Sequence, residues 1–522
     1  MKTFLYALPL LAATPALAQQ LPADQAALKA HVQFLASDAM KGRDTGSPEL
    51  TIAEQYVAAQ MLAAGLKPAG ANGSWLQPVP LVAFKSADHG SLSLKRGGVE
   101  TSLEWGKDYV ARAVPSNPKV AVSGPVVFVG YGSDPEYKGL NVKGAIVAVL
   151  RDSPHGEPSD VRAHLGQPGE QARTAAAHGA VGVILLEGNA RHAIFPFAAS
   201  LPYAQSEAMT WAGSEEGAGA PPFAYLGFDG AAKLFAGSKI KWDQVLAADK
   251  ADKKLPVGPL GVIATGTANT ALRTLSANNV VGVLEGTDKN DEYVVLSAHL
   301  DHVGVGEPDA TGDKIYNGAM DNAVGTASML EVAKRFQASG KAPRRSMLFV
   351  AVTAEEKGLV GSEYFAAHPT VPVGSIVADV NLDMPILTYR FEDLVAYGAD
   401  RSSVGKLVEQ AAAAEGVKLV PDPEPEQAYF VRSDHYSFVK AGIPAVSLDL
   451  GPGGPGAAAA KDFVDKHYHQ PSDEVGLIDW AQGLRFVSLN YAIARAIADA
   501  DDKPVWNKGD FFGTLFKGPM AK

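Results

Sequence analysis

Short apolar runs separated by amphipathic stretches mark the chain from residue 278 onward. Five of these runs predict strands because they are rich in β-branched residues and bounded by polar residues or glycine. They read NVVGVLEG, EYVVLSAHL, SMLFVAVTA, SIVADVNLD and IPAVSLDL. Helical stretches lie between several of them. Strands that alternate with helices predict an α/β fold, with a mostly parallel, mixed sheet covered by helices.

One of the intervening helices is predicted directly after Asp321. Its apolar positions follow the spacing i, i+3, i+4, i+7, which places them on one helix face: Met329, Val332, Ala333 and Phe336. Either Asp321 or Asn322 can cap the start of this helix. Gly340 and Pro343 are typical of its end.

The first half of the chain has a different pattern of predicted helices and strands. A helix is predicted around residues 51–64, closed by Gly65 and Pro68. Beyond it, β-like stretches at 122–132, 142–152 and 181–186 surround a helical piece at 170–179. Residues 116–257 are therefore interpreted as a separate, compact, β-rich module.

Composition narrows the class of protein. The chain has 522 residues, too many for one compact core, so two or three domains are expected. A formal net charge of -11 argues against broad nucleic-acid binding, which needs a basic surface. The chain has no cysteine, so disulfides and thiolate metal sites are excluded. Any metal must be held by His, Asp and Glu.

The N-terminal sequence MKTFLYALPLLAATPALAQQ is typical of a secretory signal peptide cleaved after Ala18. The alternative is a membrane anchor, but its apolar part is shorter than the roughly 20 residues that a spanning helix needs. We therefore expect residues 1–18 to be removed and the mature protein to be exported to the periplasm or the extracellular space. No stable membrane insertion is expected after cleavage.

Polar side chains gather where the predicted strands end. Three of these strands or their ends carry groups able to bind metals, and two further segments add to them: His299, Asp301 and His302; Glu355 and Glu356; Asp383; Asp321; His467 and His469. Sites in open α/β sheets form at the carboxyl ends of strands, so these groups are expected to converge. His and carboxylate ligands suit zinc, and a carboxylate can bridge the two ions of a hydrolytic site.

The chain resembles the di-zinc aminopeptidases of the aminopeptidase Y and bacterial leucyl aminopeptidase type, which are related to glutamate carboxypeptidases and glutaminyl cyclases. The resemblance extends over nearly the whole mature chain. It rests on FLASDAMKGRDTGSPE near the N-terminus and, in order, on SAHLDHVG, NGAMDNAVGTA, TAEEKGLVGS, NLDM, SDHYSFVKAGIPA and YHQPSDE. It implies a zinc peptidase domain formed by residues 19–115 and 258–522, interrupted by a protease-associated domain at 116–257.

The resemblance also implies a role for individual residues. Two zinc ions per chain are expected, one bound by His299 and Asp383, the other by Glu356 and His469, with Asp321 between them. Glu355 is expected to be the general base. Asp301 would orient His299, and Tyr468 would stabilise the oxyanion. His469 is preferred over His467 as a ligand because it lies in the Tyr-His-x-Pro pattern.

The expected activity is removal of N-terminal residues from peptides. A carboxypeptidase of the same family remains an alternative. It would need an Arg to bind the substrate carboxylate, which Arg432 or an Arg of the middle module, such as Arg151 or Arg162, could supply. Asp434 and His435, in the same segment, are further candidates for substrate binding. A non-catalytic peptide-binding relative is the third possibility, although such a protein has no need of both Glu355 and a full set of metal ligands. The sequence leaves side-chain specificity and oligomeric state open.

Overall fold

The computed structural model describes residues 21–214 and 219–522. The predicted signal peptide, residues 1–18, lies outside this described part of the chain. Among the described residues, no helix is both long and apolar enough to cross a membrane.

The strands of the described chain are numbered in chain order. Strands β1 to β17 span Lys67–Pro68, Leu76–Ser86, Ser91–Arg96, Val99–Ser102, Tyr109–Ala111, Lys119–Phe128, Ile146–Leu150, Gly182–Leu186, Ala208–Trp211, Pro222–Leu226, Gly258–Leu284, Lys289–His299, Arg345–Val352, Ile376–Leu382, Asp393–Tyr397, Lys418–Val420 and Ala445–Leu450.

The α-helices are numbered in the same way. Helices α1 to α15 span Ala23–Leu35, Pro48–Ala63, Ser159–Leu165, Pro168–Ala177, Asn189–Ile194, Phe197–Ser200, Phe228–Phe235, Trp242–Lys250, Val324–Ala338, Val360–Ala367, Val404–Ala414, His435–Lys440, Gly456–Lys466, Trp480–Asp499 and Phe511–Leu515.

The larger sheet has the order β9–β2–β11–β13–β12–β14–β17–β15–β16, and the short strand β1 pairs with the end of β11 beside β2. Its centre, β13–β12–β14–β17, is parallel, and the antiparallel pairings β11–β13 and β17–β15 flank this centre. The five predicted runs correspond to the end of β11 and to β12, β13, β14 and β17. The prediction of a mixed, mostly parallel α/β fold is therefore confirmed.

Helices bury both faces of this sheet. Successive side chains along a strand point to opposite faces, so each strand contributes to two cores. On β12, Val294 and Leu296 join a core with helices α1, α2, α9, α11 and α14, whereas Val295 joins the core with α10, α12 and α15 on the other face. Helix α9 buries the predicted apolar face, including Phe336. At its start, the backbone N–H of Gly325 donates to the Asn322 side chain.

A second sheet forms a separate layer with the order β4–β3–β11–β6–β7–β8–β10–β5. Its strands β6, β7, β8 and β10 run parallel, and β6, β7 and β8 coincide with the predicted β-like stretches. It also includes β3, β4, β5 and the first half of β11, which lie outside residues 116–257. Because the 27 residues of β11 pair in both sheets, one continuous strand joins the two modules.

Helix α3 of the second module packs onto the first. Val161 enters the apolar core beside α12 and α15. Next to it the hydroxyl of Tyr436 lies 2.6 Å from Nδ1 of the buried His164. The guanidinium of Arg401 forms ion pairs with Asp160 on α3 and with Asp510, the latter at 3.0 Å. These contacts fix the position of one module relative to the other.

Candidate metal centre

The carboxyl ends of three adjacent parallel strands meet at one edge of the larger sheet. His299 is the last residue of β12, Glu355 and Glu356 follow β13, and Asp383 follows β14. A fifth group, Asp321, precedes α9 in a more extended conformation, with φ -111° and ψ 94°. Topology thus brings together residues that lie far apart in the sequence.

Four of these groups, His299, Asp321, Glu356 and Asp383, form two triads with His469 that share Asp321, and His302 lies against the second triad. In the first triad, Nε2 of His299 lies 3.0 Å from Oδ1 of Asp383 and 3.1 Å from Oδ1 of Asp321. In the second, Nε2 of His469 lies 3.0 Å from Oε2 of Glu356 and 3.2 Å from Oδ2 of Asp321. Each oxygen of the Asp321 carboxylate therefore belongs to a different triad.

This spacing fits metal coordination. Ligand atoms about 2.0 Å from one tetrahedrally coordinated zinc ion lie about 3.3 Å apart. The nitrogen–oxygen distances within each triad, 3.0 to 3.2 Å, are close to that value. The donor set of imidazole nitrogen and carboxylate oxygen is also one that zinc accepts. The residues at this edge of the sheet therefore fit zinc-type metal binding.

Hydrogen bonds within the triads shift the pKa values of Asp321 and His469. Burial alone would raise the pKa of Asp321, but hydrogen bonds from His299 and His469 outweigh it and hold that pKa well below its usual range. Burial would likewise lower the pKa of His469, yet its bonds to Asp321 and Glu356 raise the pKa to about 10. His469 and Asp321 therefore favour each other's charged forms.

The two adjacent glutamates have opposite properties. Burial raises the pKa of Glu355 well above its ordinary value, and the nearby Asp383 carboxylate adds to the rise. For Glu356, burial acts in the same direction, but hydrogen bonds with His302 and His469 hold its pKa at about 2. Of the two, only Glu356 is a member of a triad. Glu355 is left as the carboxyl group with the higher proton affinity.

Asp301 positions the centre through both its main chain and its side chain. Its backbone carbonyl accepts a hydrogen bond from Nδ1 of His299 at 3.1 Å, which leaves Nε2 facing the first triad. Its carboxylate accepts from the Thr45 hydroxyl at 2.9 Å and from the backbone N–H of Glu355 at 3.1 Å. The contact with His299 is thus made by the carbonyl, while the carboxylate holds the Glu355 backbone.

Tyr468 and the two C-terminal histidines take distinct positions. The Tyr468 ring stacks on His469 with centroids 4.0 Å apart. Burial, together with Asp321 and Glu356, raises the pKa of Tyr468, so its hydroxyl keeps its proton and remains a hydrogen-bond donor. His467 lies outside the triads, with Nδ1 2.9 Å from the Ser472 hydroxyl.

The three candidates for substrate binding differ in accessibility. Asp434 and His435 are fully buried beneath the sheet edge. Burial raises the pKa of Asp434 to about 7 and lowers that of His435 to about 3. Arg432 is exposed, its guanidinium lying 5.2 Å from the Tyr429 ring. Of the three, Arg432 alone presents a charged group at the surface.

Several residues without an assigned role in the sequence support the ligands. Nδ1 of the buried His302 lies 2.8 Å from Oε1 of Glu356. Asp473 accepts hydrogen bonds from the backbone N–H groups of Met320 and Asp321. The Ser433 hydroxyl donates to Asp383 at 2.5 Å. All three lie within quoted motifs, but only tertiary contacts reveal what they touch.

Comparison with known proteins agrees with this geometry. Residues 279–494, which contain every member of both triads, match the family model described as peptidase family M28. A probable glutamate carboxypeptidase of Arabidopsis thaliana is 24% identical over 410 residues, covering 68% of this chain and 52% of that protein. An aminopeptidase of Rattus norvegicus is 26% identical over 308 residues, covering 49% of this chain and 37% of that one.

Among solved structures, the aminopeptidase from Aneurinibacillus sp. strain AM-1 is 22% identical, with a TM-score of 0.49. That alignment covers 92% of this chain and 95% of the other. The chain spans about half the length, or less, of the two curated relatives named above. Those relatives carry two different activities in their names, aminopeptidase and carboxypeptidase.

Proposed function

From the match of residues 279–494 to the model of peptidase family M28, we propose that the protein is an exported di-zinc aminopeptidase. The observation that carries the proposal is the pair of triads that share Asp321, with Glu355 beside them. His299 and Asp383 would hold one zinc ion, Glu356 and His469 the other, and Asp321 both. When bound, such ions polarise a scissile carbonyl and lower the pKa of water.

The chain's own residues supply the proton transfers. Glu355 accepts the proton of the attacking water and delivers it to the leaving amine, as a general base and then a general acid. Its position is fixed by the bond from its backbone N–H to Asp301. The Tyr468 hydroxyl would donate a hydrogen bond to the developing oxyanion. The second module, which includes residues 116–257, is proposed to be a protease-associated domain that forms part of the wall of the substrate site.

The preference for the peptide N-terminus rests on charge. An α-ammonium group needs acceptors, and the sheet edge is rich in carboxylates, including Glu355 and Asp383. A C-terminal carboxylate would instead need a cationic fork. Arg432 is exposed and offers one, which is the observation that favours a carboxypeptidase as the second candidate.

One short peptide in three forms tests the proposal: free, N-acetylated and C-amidated. Acetylation removes the ammonium group and is expected to abolish cleavage, while amidation is expected to change the rate little. Cleavage of the acetylated peptide that is lost on amidation would show a carboxypeptidase, with Arg432→Met as the first variant to examine. Absence of cleavage in all three forms by zinc-loaded protein would favour a peptide-binding role.

A further inference from the structure

A buried arginine from outside the family M28 segment lies against the metal centre. Arg43 belongs to the turn formed by Asp38–Arg43, more than 200 residues before His299 in the sequence, and its side chain is fully buried. Its guanidinium donates only to main-chain carbonyls in the bonds it forms: those of Leu35, Leu300, Asn317 and Gly318. An arginine held in this way acts as a connector between backbone segments.

Three of the four carbonyls that Arg43 binds belong to segments that carry proposed metal ligands, while that of Leu35 ends α1. Leu300 directly follows the ligand His299, and Nε of Arg43 lies 3.0 Å from its carbonyl. Asn317 and Gly318 lead into the bridging ligand Asp321, and their carbonyls lie 2.7 and 3.1 Å from the guanidinium. One side chain therefore joins the end of β12, which carries His299, to the segment before α9, which carries Asp321.

The backbone around Arg43 is also held in an unusual conformation. Lys41, Gly42 and Arg43 have φ values of 42°, 67° and 49°, all in the left-handed region. Residues other than glycine rarely adopt this region. At Gly42 a Cβ atom would lie 2.4 Å from the Tyr316 carbonyl oxygen and 2.5 Å from that of Gly304, so the close approach requires glycine.

The Arg43 main chain and Thr45 also bond to the segment that follows β12. The carbonyl of Arg43 accepts from the backbone N–H of His302 at 3.3 Å, and Thr45 bonds the carboxylate of Asp301. The surrounding carboxylates include Asp301, Asp321, Asp473 and Glu356. Residues 42–45 thus run along the strand end that bears the first triad.

We propose that Arg43 is a positioning residue of the metal centre, which holds the His299 and Asp321 segments at their metal-binding distance through its bonds to the carbonyls of Leu300, Asn317 and Gly318. This inference rests on the proposed function, since it concerns the same metal ligands. The geometry of the fork matters more than the charge in this role, because a lysine ammonium cannot reach four carbonyls in the directions that a planar guanidinium does.

The test uses Co²⁺ as a spectroscopic probe of the metal-depleted full chain. Titrations follow the visible absorption of Co²⁺ in wild-type protein, Arg43→Met and Arg43→Lys. Both variants are expected to bind about 10- to 100-fold more weakly, as for other changes just outside a ligand shell, and to show an altered absorption spectrum. Arg43→Gln keeps an amide donor and is expected to lose less Co²⁺ affinity. If Arg43→Met does not fold, the Co²⁺ affinity of Arg43→Gln is compared with that of the wild-type protein instead.

Arg345→Met is the matched control. Arg345 is also fully buried and donates to the carbonyls of Ile497, Ala500 and Asp502, but it begins β13, at the strand end opposite the centre. Its variant is expected to lose thermal stability while keeping the wild-type Co²⁺ affinity and spectrum.

The outcomes separate the two proposals. Wild-type affinity in Arg43→Lys would show that charge alone suffices and would overturn the positioning role. An equal loss in Arg345→Met would show a general effect of destabilisation and would overturn it as well. Wild-type protein that binds no Co²⁺ would overturn the proposed function together with this inference, whereas tight binding by wild type and all Arg43 variants would overturn the inference alone.

Discussion

At the scale of single residues, the site is defined by how each carboxylate is surrounded. Glu355 and Glu356 are adjacent, yet burial raises the pKa of the first, while hydrogen bonds with His302 and His469 hold that of the second at about 2. Two identical side chains therefore acquire different chemistry from their partners. This difference supports the proposed roles, proton transfer for Glu355 and metal binding for Glu356.

We expect Glu355→Gln to retain metal and fold but to lose turnover. The amide has nearly the same shape as the carboxylate but cannot accept a proton, and the loss of a general base costs about 10²- to 10⁴-fold in kcat. Glu356→Gln, the matched change one residue later, is expected to reduce the bound zinc. Metal analysis and kcat measured on both variants check the assignment, and the reverse pattern would exchange the two roles.

At the scale of elements, parallel strands and one docked helix place the functional groups. The ends of β12, β13 and β14 lie side by side, so three short sequence motifs meet at one edge. Helix α3 of the second module contributes no ligand to the triads. Its His164 instead packs edge-on against a ring of aromatic residues: Tyr436, Phe511, Phe512 and Phe516. The contact between modules therefore depends on a buried imidazole.

The His164 contact is expected to weaken in acid. Burial lowers the pKa of His164 in the folded protein below its ordinary value, an effect that Glu170, 3.7 Å away, opposes, and that Arg173 and Lys440 reinforce. A histidine kept neutral by folding contributes stability that is complete above its unfolded pKa, about 6.5, and that is lost as the pH falls below it. Stability is therefore expected to fall between pH 7.5 and 5.5.

Urea unfolding at these two pH values checks the His164 prediction. In His164→Gln the amide oxygen can still accept from the Tyr436 hydroxyl but does not titrate. The variant is therefore expected to lose less stability between pH 7.5 and 5.5 than wild-type protein does. Identical pH dependence in the two proteins would show that His164 does not control this contact.

At the scale of the whole molecule, the two modules and the acidic centre form one connected unit. Strand β11 pairs in both sheets, and α3 packs on the first module next to α12 and α15. Several carboxylates lie buried around the triads, among them Asp301, Asp321 and Asp473. Mutual repulsion among these groups opposes folding until cations are bound.

Removal of metal is accordingly expected to lower the stability of the whole chain. Free zinc at about 100 times its dissociation constant adds about 2.7 kcal/mol to the free energy of unfolding. Thermal unfolding with and without chelator measures this contribution, and added zinc should restore it. Asp321→Asn, which disrupts both triads, serves as the control and should be insensitive to chelator. Equal unfolding temperatures for wild-type protein in the two conditions would argue against a resident metal.

The sequence by itself determined the strands and the principal ligand candidates. Short apolar runs rich in β-branched residues and bounded by polar residues are typical of strands buried on both faces, so β12, β13 and β14 were predictable from local pattern. Polar groups at the ends of those strands follow from the same local reading. Assignment of a role to each glutamate came from resemblance, because spacing does not distinguish Glu355 from Glu356.

Only the tertiary structure decided which residues support the candidate metal ligands. Arg43 and Asp473 approach Asp321 from positions more than 150 residues away on either side, and no local pattern encodes such a contact. The same holds for β11, whose two halves join different sheets. Local periodicity reflects which side of an element faces a core, whereas contacts between distant segments depend on how all elements pack together. The supporting residues of the metal centre belong to this second class.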